Sequence, residues 1–185
     1  MFDVKWSPHS GKKFATGSKD GTVRIWESST DKSQAMLKVT PADNQVLSLA
    51  WSNKSEHHLA AGTLSGEVFY FDLRNAKVPV ATFARQSRTP VFSVQFSPKS
   101  SPKELLAIAS DDPRLSVVDV NTSTAMQVSP PTEPQTPNLA HTLSLCSYES
   151  SGHNDYVRTV AWNASGDTLF SGSWDGTVLA HKLKA

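Results

Sequence analysis

The feature that most limits what this chain can fold into is a repeat. Trp6, Trp51 and Phe96 stand 45 residues apart, and Trp162 follows 66 residues after Phe96, one period with an insertion of 21. Four segments align around these aromatics: "MFDVKWSPHSGKKFATGSKDGTVRIWE", "VLSLAWSNKSEHHLAAGTLSGEVFYFD", "VFSVQFSPKSSPKELLAIASDDPRLSVVD" and "VRTVAWNASGDTLFSGSWDGTVLAHK". Self-similarity at such a period makes each unit one small module that buries its apolar faces against its neighbours.

Within a unit every signal is β. An alternating strand leads; in residues 157–162 the pattern puts Val157, Thr159 and Ala161 on one face and Arg158, Val160 and Trp162 on the other. A polar turn follows (Ser7-Pro8, Ser52-Asn53, Ser97-Pro98, Ser165-Gly166), then a strand of small residues such as "FATGS" or "LFSGS". Asp20-Gly21 and Asp175-Gly176 then predict two-residue hairpins of type I′, with positive φ at both central residues. A β-branched strand runs back, and a weaker fourth strand is expected at Ala35–Val39 and Val78–Phe83. Four short strands per period of about 45 residues is the pattern of a β-propeller blade. The fold class is therefore all-β, with blades at about 1–40, 45–84, 90–128 and 152–184. Between the last two lies a Pro-rich insertion at about 129–151, carrying Pro130, Pro131, Pro134 and Pro137, each without a backbone donor. It is expected to loop out on the side of the Asp-Gly turns, and "HTLSLCSY" within it could pair at a sheet edge.

All four units resemble WD repeats. In that family a blade is tied by a His, an Asp in the tight turn, a Ser or Thr on the second strand and a Trp on the third. The resemblance assigns these roles to His153, Ser171 and Asp175 in the fourth unit, with His181 at the Trp position, and to Thr16, Asp20 and Trp26 in the first. The second unit has Ala61, Ser65 and Phe71 there, and the third Ile108, Asp112 and Val118, so these two should be held mainly by apolar packing. Propellers of this type close with about six to eight blades. Four are present, which reads as part of a longer propeller, the alternative being a chain that pairs with another copy or a different half.

Composition excludes more than it selects. Lys+Arg 18 against Asp+Glu 17 gives a charge of +1, so nothing favours nucleic acid or an anionic membrane. The single Cys146 excludes an internal disulfide and fits a reducing compartment, the cytoplasm and also the nucleus. His57 and His58 are adjacent, and alternation along a strand would part their rings, so no zinc site is expected. "GSKDGT" lacks the Gly-Lys-Ser/Thr ending of a phosphate loop, and there is no Gly-x-Ser-x-Gly elbow. No catalytic, cofactor or metal residue is expected, and the chain reads as a non-enzyme.

What remains is a surface for other proteins, as in a subunit of a larger complex. The residues before the turn aspartates and before the first strands are Lys19, Leu64, Asp111, Trp174, Asn154 and Tyr156. Of these Lys19, Asn154, Tyr156 and Trp174 are the candidate contacts, Trp and Tyr being enriched at interface hot spots. The stretch "VFSVQFSP…ELLAIASDD" with "GHNDYVRTVAWNASGDTLFSGSWDG" is similar to the last blades of Superkiller-complex WD-repeat subunits, which implies a scaffold in RNA decay. "HNDYVR" and "AHKL" are similar to methylosome WD-repeat subunits, which implies an arginine-methyltransferase adaptor. A third reading is a peptide or modified-residue reader using the mouth of the propeller.

Overall fold

Each repeat forms one antiparallel sheet. The computed structural model describes residues 1–30, 32–39, 44–75, 78–84, 88–113, 115–121, 142–144 and 152–183. The first sheet runs β1 (Asp3–Trp6), β2 (Lys13–Gly17), β3 (Thr22–Glu27), β4 (Ser33–Lys38), and the second β5 (Val46–Trp51), β6 (His58–Thr63), β7 (Glu67–Asp72), β8 (Ala81–Ala84). The third holds β9 (Val91–Phe96), β10 (Leu105–Ser110) and β11 (Ser116–Asp119), and the last β13 (Val157–Trp162), β14 (Thr168–Ser173) and β15 (Val178–Lys182). A short strand β12 (Thr142–Ser144) pairs in parallel with β8, at the edge of the second sheet. It is the one part of the expected insertion within the described residues. The insertion's course, and so the side on which it emerges, lies outside them.

Strand periodicity explains how the sheets stack into a β-propeller arc. In the second sheet Leu59, Ala61, Phe69 and Phe71 pack with Ala15, Val23 and Ile25 of the first. Their sequence neighbours Ala60, Val68 and Tyr70 point the other way, onto Val94, Phe96, Leu106, Ile108 and Val118 of the third. Leu105, Ala107 and Val117 of the third sheet in turn meet Val157, Val160 and Leu169 of the last. A sheet buried on both faces needs near-continuous apolar runs, and "LLAIAS" is buried throughout. The small residues of the second strand set the spacing. A Cβ on Gly62 would sit 2.5 Å from Val91 Cγ1, so only glycine lets the next inner strand approach. Three cores join four sheets. Among the described residues the face carrying Trp6, Phe14 and Trp26 in the first sheet meets no further blade, and neither does the face carrying Phe170 and Val178 in the last.

Three expectations are corrected. The Asp-Gly turns are not type I′: Gly21 (φ 73°) and Gly176 (φ 79°) are left-handed, but Asp20 and Asp175 are not. Gly21 N–H bonds the Ser18 carbonyl and Ser18 N–H bonds that of Thr22, a three-residue type I turn closed by a glycine bulge. The aspartate stays right-handed because its carboxylate takes both the N–H and the hydroxyl of the Thr two residues on. Second, the regular alternation over residues 157–162 breaks at a bulge between Val157 and Thr159. Val157 and Val160 are both buried, while Arg158 is the extra, outward residue. Third, the weak outer strands are displaced: Ser33–Lys38 replaces Ala35–Val39, and Ala81–Ala84 replaces Val78–Phe83. Pro79 has no donor for a ladder, and Val78 and Val80 are exposed beside it.

Candidate functional site

Because the strands run antiparallel, consecutive connections alternate between two ends of every sheet. One end, here the loop end, holds residues 7–12, 52–57, 97–104 and 163–167; the other, the turn end, holds the hairpin turns that carry the aspartates.

The loop end is stitched across every blade junction. His9 Nε2 donates to the Ser52 carbonyl (2.9 Å), Asn53 Nδ2 to those of Phe96 and Ser97, and the Ser100 hydroxyl to that of Ala164. Ser52 Oγ bonds buried Glu104, and Lys54 Nζ reaches the Ser101 and Pro102 carbonyls. Just inside this end a cavity of about 420 Å3 lies between the four inner strands, lined by Trp6, Ala50, Val94 and Thr159 among others. Among the described residues Lys5 is the single ionisable one lining it, and these supply no acid–base pair there. Trp51 Nε1 donates to the Lys5 carbonyl (2.9 Å) and Trp162 Nε1 to that of Gln95 (3.1 Å). The recurring tryptophan is thus a cross-blade tie.

The turn end differs from blade to blade. In the last, His153 Nδ1 lies 3.2 Å from Asp175 Oδ2, and its Nε2 lies 2.7 Å from Ser171 Oγ, which lies 2.7 Å from His181 Nε2. With both rings neutral one assignment satisfies every partner. His181 Nε2–H donates to Ser171, Ser171 to His153 Nε2, and His153 Nδ1–H to the carboxylate. His181 so does what Trp26 Nε1 does in the first blade, where it donates to Thr16 Oγ1 (2.9 Å). Burial, with His153 as the lesser cause, pulls the His181 pKa below the usual histidine value. The Thr177 hydroxyl, then the Asn154 N–H, holds the Asp175 carboxyl well below the usual range. In the first blade Asp20 binds Thr22 and Arg24 and does not join the Thr16–Trp26 pair. Ala61, Phe71, Ile108 and Val118 are buried in apolar cores, and the second blade adds a polar set not evident in sequence. Asn44 Nδ2 and Ser65 Oγ both donate to Glu67 Oε2 (3.0 Å each).

Three of the four candidate contacts come together. Trp174 N–H donates to the Tyr156 carbonyl, their rings sit 6.3 Å apart, and Asn154 N–H bonds Asp175 Oδ2 (2.8 Å). Trp174 is 66% exposed and Tyr156 42%. Lys19 is exposed on the first blade's turn, away from this group. Two residues of the cluster went unread in sequence: Arg158, whose guanidinium lies 3.7 Å from the centroid of the Phe92 ring and 5.4 Å from that of Trp174, and Phe92 itself. The signal was their spacing, four residues before the recurring aromatic in each unit. Among the described residues no three His, Cys, Asp or Glu side chains group to hold a metal.

Residues 4–152 match the family described as nucleolar protein 10-like, N-terminal domain, a β-propeller. The chain belongs to that family. Residues 144–180 also match the WD domain, G-beta repeat. The chain is 35% identical over 109 residues to Protein SPA1-RELATED 3 of Arabidopsis thaliana, covering 59% of this chain and 12% of that one. It is 34% identical over 82 residues to histone acetyltransferase type B subunit 2 of Kluyveromyces lactis (44% and 19%). Against dynein axonemal assembly factor 10 of Xenopus laevis it is 28% identical over 117 residues (60% and 32%). The chain thus spans a third or less of each of these relatives. WD-repeat propellers of this kind are generally non-catalytic and mediate protein–protein interaction.

Proposed function

We propose that this propeller is a non-catalytic interaction scaffold within a multiprotein complex, and that partners meet the turn end of its last two blades. One observation carries the reading: at this end a Trp and a Tyr are exposed side by side, held by main-chain bonds, with a stacked arginine beneath. Exposed aromatics on rigid backbone are the commonest anchors of protein interfaces. At the loop end the corresponding polar groups are already spent on neighbouring blades.

Within this reading the last-blade likeness to Superkiller subunits supports an RNA-decay assembly, and the likeness to methylosome subunits supports a methyltransferase adaptor as the alternative. The reducing-compartment composition supports a cytoplasmic location, and the family's nucleolar name a nuclear one as well. The test is affinity capture of tagged full-length chain beside its Trp174→Ala variant, with partners identified by mass spectrometry and location by imaging. Partners lost from the variant support the surface. RNA-decay factors among them support the first assembly and a methyltransferase the second. An identical partner set from both chains would sink the proposed surface.

A further inference from the structure

The inner strands share a device that gives the mouth of the propeller its chemistry. Pairing slips between Val46 and Ser48, between Val91 and Ser93, and between Val157 and Thr159. The residue left over at each bulge is Leu47, Phe92 and Arg158, each four positions before its unit's recurring aromatic, where the first unit carries Phe2. A bulge re-aims its extra side chain while its neighbours keep the ladder. One rung of the mouth is therefore Phe2, Leu47, Phe92 and Arg158: three apolar residues and one cation.

Arg158 is the exception, and its setting selects a ligand. Its guanidinium lies over Phe92 and beside Trp174, so the aromatic faces that would otherwise cage a partner's cation are occupied by the protein's own. Among the described residues no carboxylate lies within ion-pair distance of it. Two acids of the last blade lie beside the cluster and are engaged. Asp155 accepts the Tyr156 N–H, and Asp175 is bound by His153, Asn154 and Thr177. A stacked, exposed guanidinium keeps its N–H fork free and pre-oriented, the arrangement that grips a carboxylate through two parallel bonds. Trp174 and Tyr156 form an apolar shelf at its side.

The geometry points to a peptide ligand: a segment with an Asp or Glu carboxylate on Arg158 and a neighbouring aliphatic or aromatic side chain on Trp174 and Tyr156. This rests on the interaction surface proposed above and adds the chemistry of what it takes.

The experiment is selection of a phage-displayed random heptapeptide library on the full chain and on its R158Q, R158E and W174A variants, each checked for an unchanged thermal transition. On the parent chain, enriched peptides should pair Asp or Glu with Leu, Phe, Trp or Met. The best of them, made synthetically, should bind R158Q at least about tenfold more weakly, and its binding should weaken as salt rises. R158E should enrich Lys or Arg in place of the acid. Enrichment that depends on Trp174 but carries no acidic preference overturns the carboxylate inference and leaves the interaction surface standing. Selection indifferent to both positions, or yielding no binder, overturns both.

Discussion

The two ends of this propeller are made from the same repeats and have opposite fates. At the loop end, side chains cross each blade junction to main-chain carbonyls: His9 to Ser52, Asn53 to Phe96 and Ser97, Ser100 to Ala164. At the turn end of the last blade the side-chain bonds stay within the blade, running from His181 through Ser171 and His153 to Asp175. That chain stops beneath the surface and leaves Trp174 above it. Polar groups spent on a neighbouring blade add stability and are lost to partners, whereas a turn fixed from below holds its outward side chain at little entropic cost. Stability should therefore be concentrated at one end and recognition at the other.

Substitutions at the two ends should separate stability from recognition. Ser52→Ala removes the hydroxyl that serves Glu104 and also accepts the Lys54 and Ser55 N–H groups, leaving a buried carboxylate short of a partner. It should cost about 3 kcal/mol in chemical denaturation and leave peptide or partner binding by the folded protein unchanged. Ser171→Ala strands two buried imidazoles at once, and should cost about 2 kcal/mol while loosening the turn that carries Trp174. Binding should weaken with it, which separates the two serines.

Acidification acts on the same chain of bonds. The folded-state pKa of His181 is lowered, so below the ordinary histidine value of 6.5 the unfolded chain binds more protons than the native one. This contribution is fully present above that pH and is lost as pH falls toward the folded value. Thermal midpoints should drop between neutral pH and pH 5, and His181→Gln should flatten that part of the profile. The smallest stability effect belongs to Trp174→Ala. With Trp174 66% exposed, it should change unfolding by less than about 0.5 kcal/mol and yet remove binding. A large loss of stability would mean that the tryptophan is a packing residue.

The propeller itself was legible because it rests on period and pattern. The 45-residue spacing of Trp6, Trp51 and Phe96, with alternating strands between, leaves few other folds. The details that failed depend on partners distant in sequence or on local choices of pairing. A type I′ turn was expected at Asp20-Gly21, yet the carboxylate's bonds to Thr22 held the aspartate right-handed. The bulges at Leu47, Phe92 and Arg158 are invisible to a period-2 reading, which assumes unbroken pairing. The tryptophan's second task also needs three dimensions: Trp51 and Trp162 donate across a blade junction, while Phe96, lacking the N–H, cannot. Trp174, Tyr156 and Asn154 were readable as a group because they flank one turn. Arg158 was not, since its ring partner Phe92 lies in the preceding blade, 66 residues upstream.

The most direct test places a photo-crosslinking amino acid at one end or the other of the full-length protein in cells. Position 174 samples the turn end and position 56, where Glu56 is exposed, the loop end. Recognition at the turn end gives discrete protein adducts from 174 and none from 56. Adducts from 56 with none from 174 would contradict it.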